Sequence, residues 1–495
     1  MRNKAGTRVR FSPGAFDFGG TKIAKILFAH TSKDIEPKIR LMPVGVFGLA
    51  DFLSKNNHDV KIVNVFSEDV GFDLVNYVKK ENPDFVCLDL HWHFQSSEVI
   101  DTAKKIKKVL PDTKIVVGGF TASCFSKEIS EKYDFIDFVV KGDAEMPLLN
   151  IVDGKESSKI PETFVADKKI LENISFTNFS LLSNYKKYLK FGLGKNDNKN
   201  KWFFIYNAGR GCPVNCSFCS GSCMSQEIIN NRKNVVFVNV EKALEEIKNL
   251  AKLGLGIWYT SFDPYPEGDY YIKLFKRIRE AQLKIRCKFE CWGIPSPEFI
   301  DDFKETFVDG SEIVISPETG SEKIRGKNKG YDYDNNNLIN CVNYMTQKNV
   351  GCVLYFTAGL PYETMDDFVE TLLLVNFVRL KFPQVKIMAL PIEMEPNSPW
   401  FLDGKKYGVK TKRKTFSDFY AAHQKKSSIG YETENFSEQE ILELVNLVNI
   451  EANCMKKISL IAKSLSETTL AHQKPKLSEL YKLCQICKFY NKCFA

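Results

Sequence analysis

No apolar run in the 495 residues approaches the ~18 needed to cross a bilayer as a helix, which sets aside a helical integral membrane protein. The start, Met1-Arg2-Asn3-Lys4-Ala5-Gly6-Thr7-Arg8, is basic, but no apolar stretch follows it, so it does not read as a secretory signal. The expected location is the cytoplasm. Nor is there a dense Lys/Arg block with interleaved aromatics. The net charge is only +8, and the lysines fall on what read as solvated helix faces, which gives nucleic-acid binding little support. Internal repeats and long low-complexity tracts are missing too, which argues against a solenoid or an extended disordered chain. No side chain stands out as a required acid or base, so no catalytic side chain is assigned.

What is present is an ordinary globular composition, 44% hydrophobic and 26% charged, long enough for two or three domains with full cores. Fourteen cysteines are many for a reducing compartment, where disulfides rarely persist. Several, such as Cys87, Cys124, Cys341, Cys352 and Cys454, stand singly among apolar residues and read as buried small hydrophobes. Two groups are tight: Cys212/Cys216/Cys219 and Cys484/Cys487/Cys493. Metal binding is the simplest use of each.

Short apolar strands alternate with helical patterns from Lys22 onward. Strands are expected at 23–29, 60–65, 85–88, 114–117 and 138–140, with helices at 44–53, 72–80 and 97–110. That alternation predicts a doubly wound parallel sheet of the flavodoxin-like kind, with its ligand at the carboxyl ends of the strands. Six further strands, expected at 203–206, 256–259, 288–291, 312–315, 353–356 and 386–390, fit a partial (β/α)6 barrel. The expected organisation is a tail (1–20), a first α/β domain (21–155), a polar linker (156–200), a barrel (201–400) and a mostly helical carboxyl-terminal region (401–495).

The C-x3-C-x2-C run Gly211-Cys212-Pro213-Val214-Asn215-Cys216-Ser217-Phe218-Cys219 follows the first barrel strand. Three thiolates can bind three irons of a four-iron cubane and leave the fourth open, whereas a cluster that only carries electrons takes four cysteines. Zinc, with Cys223 as a fourth ligand, and plain core cysteines are the alternatives at this point. The run resembles the radical S-adenosylmethionine (SAM) family. The resemblance implies a [4Fe-4S] cluster on Cys212, Cys216 and Cys219, SAM on the open iron, and reductive cleavage to a 5′-deoxyadenosyl radical.

Other strand ends extend the resemblance. Phe218 stands where the family has an aromatic before the third cysteine, and the resemblance implies that its backbone lies near the SAM adenine. Ser261 and Asp263 match by position the segment that holds the SAM amino group. Ser316-Pro317-Glu318-Thr319-Gly320-Ser321, followed by Arg325, is similar to the "ESGs" segment of the branch typified by the anaerobic chlorophyll-ring cyclase, in which the glutamate reaches the SAM ribose. Gly359-Leu360-Pro361-Tyr362-Glu363-Thr364 resembles that branch's "GLPxET" segment, with Thr364 and Asp367 spaced as a capping box. SAM contacts are therefore expected from Phe218, Ser261, Asp263, Ser316, Glu318, Thr319, Gly320, Ser321, Arg325, Leu360 and Pro361.

The first domain resembles the cobalamin-binding domain of B12-dependent radical SAM proteins. Pro43-Val44-Gly45 opens their "PxGxxxLA" helix, Gly118-Gly119 with Thr121 and Ala122 matches their glycine turn, and Gly142-Asp143-Ala144-Glu145 stands where they have "GEGE". Asp-x-His-x-x-Gly is absent, since only His30 of that motif remains. His91 and His93, flanking Trp92, are expected beside the corrin. Corrin contacts are thus expected from Pro43, Val44, Gly45, His91, His93, Gly118, Gly119, Thr121, Ala122, Gly142, Asp143 and Glu145.

Cys484-x2-Cys487-x5-Cys493 resembles the first part of auxiliary-cluster segments, and a second Fe-S cluster or zinc is expected there. The implied function is a cobalamin-dependent methyl transfer to an unactivated carbon, by way of the deoxyadenosyl radical and methylcobalamin. The expected partners are a small-molecule or peptide substrate and an electron donor such as flavodoxin or ferredoxin, with no membrane. Three alternatives stand beside it: a B12-dependent cyclisation or rearrangement, a cluster- and corrin-containing sensor without turnover, and a transfer-RNA methylthiotransferase. The last lacks a basic carboxyl-terminal β-barrel.

Overall fold

The computed structural model describes residues 23–31, 41–190, 202–260, 268–422 and 428–449. Ser261, Asp263 and the Cys484/Cys487/Cys493 group lie outside the described residues, as do the tail 1–20 and the chain beyond Asn449.

Five strands form the first sheet: β1 (Lys25–His30), β2 (Asp59–Asn64), β3 (Phe85–Asp89), β4 (Lys114–Gly118) and β5 (Phe138–Val140). All are parallel, in the order β2-β1-β3-β4-β5. Their runs of consecutive apolar residues, such as Ile26-Leu27-Phe28 and Ile115-Val116-Val117, are buried, as strands covered by helices on both faces must be. The order reverses between β1 and β3, so loops leave the carboxyl edge in opposite directions there and open a crevice.

Six strands form the second sheet: β6 (Trp202–Ile205), β7 (Leu255–Thr260), β8 (Arg286–Cys291), β9 (Glu312–Glu318), β10 (Gly351–Phe356) and β11 (Lys386–Ala389). Each pairs in parallel with the next, giving an open six-stranded barrel. On β8, Cys287, Phe289 and Cys291 are buried, with Phe275 and Phe299 of the outer helices edge-on to Phe289 and Phe303 packed on both of those rings. Lys288, Glu290 and, just beyond the strand, Trp292 alternate with them and are half-buried.

One expectation from composition is corrected. Residues 156–190 are no plain linker, because they carry helices at Lys168–Asn173 and Tyr185–Lys190 and bury Leu171, Ile174, Phe176, Phe179, Leu182 and Tyr188 against the core. After 401 the described residues add one antiparallel strand pair to their helices. Val409–Thr411 pairs antiparallel with Tyr431–Thr433 around the helix Phe416–Ala422, before the helix Glu438–Asn449.

Candidate functional site

The carboxyl edges of the two sheets face one another across a cavity of about 1030 Å³, at the upper end of the range for a small-molecule site. One wall comes from the loops after β3, β4 and β5 and from Pro43–Val46 at the start of the helix Val44–Lys55. The other comes from Asn207, the cysteine loop, Trp292, Ser316, Glu318, Lys329 and Glu395.

Cys212, Cys216 and Cys219 all line this cavity. Their loop is fastened from several sides. The Ser217 N–H donates to the Asn328 carbonyl at 2.8 Å and its hydroxyl to Asn328 Oδ1 at 2.9 Å. The Trp400 indole donates to Ser217 Oγ at 2.8 Å, and the Ser220 N–H to Glu395 Oε2 at 2.9 Å. Gly330, at φ +65°, lies so close that a Cβ there would stand 2.7 Å from the Asn215 carbonyl carbon. The Cys216 thiol donates to the Lys329 carbonyl at 2.6 Å.

Burial pushes the Cys212 thiol up to about 12 and Cys216 up to about 11, the latter against the pull of Lys329, and lifts Cys219 well above its ordinary value. Thiolates in such surroundings need nearby positive charge, which iron supplies. Among the described residues no three His, Cys, Asp or Glu side chains gather tightly enough for a single metal ion. A four-iron cubane would instead take one cysteine sulfur on each of three irons. Cys223 opens the helix Cys223–Asn230 and does not line the cavity. The residues present fit a cluster held by three cysteines.

Of the expected SAM contacts, the structure brings Phe218, Ser316 and Glu318 to the cavity. Glu318 ends β9 in a left-handed conformation, φ +67°, and its carboxylate accepts from Lys329 Nζ at 3.1 Å. Burial raises the Glu318 carboxyl against the opposing pull of Lys329; burial lowers Lys329, but the neighbouring Glu318 and Cys216 raise it further. Thr319, Gly320, Ser321, Arg325, Leu360 and Pro361 are not on the cavity wall. Thr319 Oγ1 bonds Thr371 at 2.9 Å, Ser321 Oγ donates to Asp367 at 2.8 Å, and Arg325 donates to the carbonyls of Thr319 and Tyr333 at 2.7 and 2.8 Å. The Leu360 N–H donates to Glu363 at 3.2 Å, and the Pro361 carbonyl accepts from Asn328 Nδ2 at 3.1 Å. A Cβ on Gly320 would come within 2.5 Å of the Glu370 carbonyl oxygen, so that glycine answers to the helix Met365–Lys381 and not to a ligand. These six form a buried brace behind Glu318.

Of the expected corrin contacts, Pro43, Val44, Gly45, His91, Gly118, Gly119, Gly142, Asp143 and Glu145 line the cavity, while His93, Thr121 and Ala122 do not. Thr121 Oγ1 donates to the His91 carbonyl at 3.0 Å, and Ala122 is buried. His93 packs on Phe94 and Phe419, its Nε2 3.9 Å from Glu393. His30 lies off the wall, its Nδ1 2.9 Å from Asp89. His91 remains neutral because burial lowers it to about 4, against the pull of Asp89, and its ring stands edge-on to Trp92 and Phe120. Gly119, at φ +113°, lets the turn cross the chain at residues 90–91, where a Cβ would stand 2.8 Å from the His91 backbone. Gly45 and Gly118 have no such neighbour, and their faces are open to the cavity.

Sequence reasoning passed over Arg210, Arg232, Lys329, Glu395 and Trp292, all on the wall. Arg210 directly precedes the cysteine run and Lys329 closely follows the Glu318 segment, so both could have been found there. Glu395 and Trp292 announce themselves only through the topology.

Residues 206–375 match the radical SAM superfamily, and residues 35–152 match the B12 binding domain. Hopanoid C-3 methylase of Methylococcus capsulatus is 25% identical over 249 residues, covering 47% of this chain and 45% of that protein. The anaerobic magnesium-protoporphyrin IX monomethyl ester cyclase of Rubrivivax gelatinosus is 26% identical over 225 residues, 40% of this chain and 38% of that one. The chain thus spans less than half the length of these relatives. The solved structure of the radical S-adenosylmethionine methyltransferase TsrM from Kitasatospora setae, with cobalamin and a [4Fe-4S] cluster bound, superposes with a TM-score of 0.65. It shares 12% identity and covers 94% of this chain and 100% of that one, which is a likeness of fold. Three cysteines on a partial barrel, a flavodoxin-like sheet facing them and the two matched segments lead to one assignment: the chain carries a radical SAM domain, matched over 206–375, and ahead of it a B12-binding domain, matched over 35–152.

Proposed function

We propose that the protein is a cobalamin-dependent radical SAM methyltransferase acting on an unactivated carbon, within a B12-binding domain over 21–155 and a radical SAM core over 201–400. The observation that carries this reading is the single cavity bounded both by the three-cysteine loop and by the carboxyl edge of the first sheet. Bound there, cluster, SAM and cobalamin supply the radical and the methyl group, and the protein supplies placement and exclusion of water. Cys212, Cys216 and Cys219 hold the cluster. Phe218, Ser316 and Glu318 line the SAM side, braced by Thr319, Gly320, Ser321, Arg325, Leu360 and Pro361, with Ser261 and Asp263 as further contacts. Pro43–Gly45, Gly118 and neutral His91 form the corrin face. An external electron donor would supply the electron, and Cys484, Cys487 and Cys493 would hold a second metal centre. Methyl transfer is preferred to cyclisation because relatives of both kinds match, and the hopanoid methylase covers more of this chain than the cyclase does.

The test is incubation of the reduced, reconstituted protein and cobalamin with SAM labelled in its methyl group. Label on cobalamin with S-adenosylhomocysteine released, alongside 5′-deoxyadenosine, is the expected result. Deoxyadenosine without S-adenosylhomocysteine favours the cyclase or rearrangement reading. Neither product under any reductant favours a sensor.

A further inference from the structure

Four charged side chains on the cavity wall, two from each matched segment, are joined in one network. Arg210 Nη2 donates to Glu145 Oε1 at 2.6 Å, and its Nη1 lies 3.1 Å from Asp143 Oδ1. Arg232 Nη2 donates to Asp143 Oδ2 and, at 3.0 Å, to the Ala166 carbonyl, while the Ala166 N–H donates to Asp143 Oδ2 at 2.8 Å. Glu145 is fully buried, and Asp143 and Arg232 nearly so. The two guanidinium charges are matched by the two carboxylates, so the network offers no spare charge to an ionic ligand.

Its attachments run to both ligand faces. Arg210 is joined through Gly211 alone to Cys212, and the Arg232 stem lies 3.0 Å from where a Gly211 Cβ would be. On the other side Asp143 follows Gly142, whose N–H donates to Ser123 Oγ at 3.0 Å; Ser123 Oγ donates in turn to the Gly119 carbonyl at 2.8 Å. The connection from the glycine turn of the first sheet to the first cluster cysteine is unbroken.

We infer that Asp143 and Glu145 are positioning residues, clasping Arg210 and Arg232 so as to fix the spacing between the corrin face and the cysteine loop. The inference rests on the two-cofactor reading above. A forked guanidinium holds two carboxylates in a fixed plane, which a lysine at the same place does not.

The test compares the full-length wild type with Glu145→Gln, Asp143→Asn and Arg210→Lys by two measurements. The first is hydrogen exchange on the cofactor-free protein. Exchange of the segment 209–222 should rise about tenfold or more in each variant, with core strands of both sheets unchanged, as expected for a locally loosened unit. Unchanged exchange in that segment, or a uniform rise everywhere, overturns the clasp whatever the cofactors do. The second is the distance between cob(II)alamin and the reduced cluster, read by pulsed dipolar electron paramagnetic resonance on the loaded protein. A narrow distribution should broaden in all three variants, with iron and cobalamin contents retained. The same narrow distance in the variants overturns the inference. A wild type that binds no cobalamin defeats the two-cofactor reading instead, and the exchange measurement then decides the clasp alone.

Discussion

At the scale of single residues, similar glycines do different work. Gly119 is required by the chain crossing beneath it, so Gly119→Ala should destabilise the fold by about 1–3 kcal/mol, the usual cost of forcing a side chain into such backbone. Gly45 has nothing within 4 Å of its would-be Cβ and faces the cavity. Gly45→Trp should therefore leave the melting temperature near the wild-type value and abolish cobalamin binding, read as corrin absorbance after incubation and gel filtration. Retained corrin in that variant would move the corrin face elsewhere. Glu363 gives a pH prediction. It is fully buried, accepts from the N–H groups of Gly359 and Leu360 at 2.6 and 3.2 Å, and burial pushes its carboxyl up to about 8 from an ordinary 4.5. A raised folded pKa means the folded state holds the extra proton between those values. The carboxyl's contribution to stability is fully present below pH 4.5 and lost as pH rises toward 8, by at most ~1.4 kcal/mol per pH unit. Glu363→Gln, which keeps the acceptor, should flatten that decline in denaturant titrations at pH 5 and pH 8, and an unchanged slope would mean the carboxyl is not responsible.

At the scale of elements, the helix Met365–Lys381 starts on a capping box in which the Thr364 hydroxyl and N–H donate to Asp367 Oδ2 at 2.7 and 2.9 Å. Thr364→Ala should cost about 1 kcal/mol in chemical denaturation without changing iron content. A loss of iron there would show that the cap reaches the site. This box was legible in the sequence because its spacing is local. So were the strands, since runs such as Ile115-Val116-Val117 are apolar on both faces. The segment 156–190 was not, because Phe176, Phe179, Leu182 and Tyr188 come in ones and twos among polar residues, and only the folded neighbours show that they are core. The turn after β9 was half legible. Motif likeness placed Glu318 and Thr319 at the site, but whether a side chain enters the cavity or the brace behind it depends on a left-handed φ at Glu318 that no local pattern signals. Arg210 and Arg232 escaped notice because their partners lie in the other domain.

At the scale of the whole molecule, two parallel sheets meet at one cavity, and the sequence beyond Asn449 carries Cys484, Cys487 and Cys493. Two four-iron clusters would give about eight irons per chain, one cluster about four, and one cluster plus zinc about four irons and one zinc. Truncation after Leu483 should lower the total metal, by about four irons or one zinc; no change would remove the second centre and leave the cavity as argued. The central claim is that three cysteines hold a cluster with one iron open to SAM, and its most direct test is product analysis. Anaerobically reconstituted, reduced protein should convert SAM to 5′-deoxyadenosine, and the variant with Cys212→Ala, Cys216→Ala and Cys219→Ala should lose that activity while retaining its secondary structure by circular dichroism. Undiminished deoxyadenosine formation in the triple variant would contradict the account.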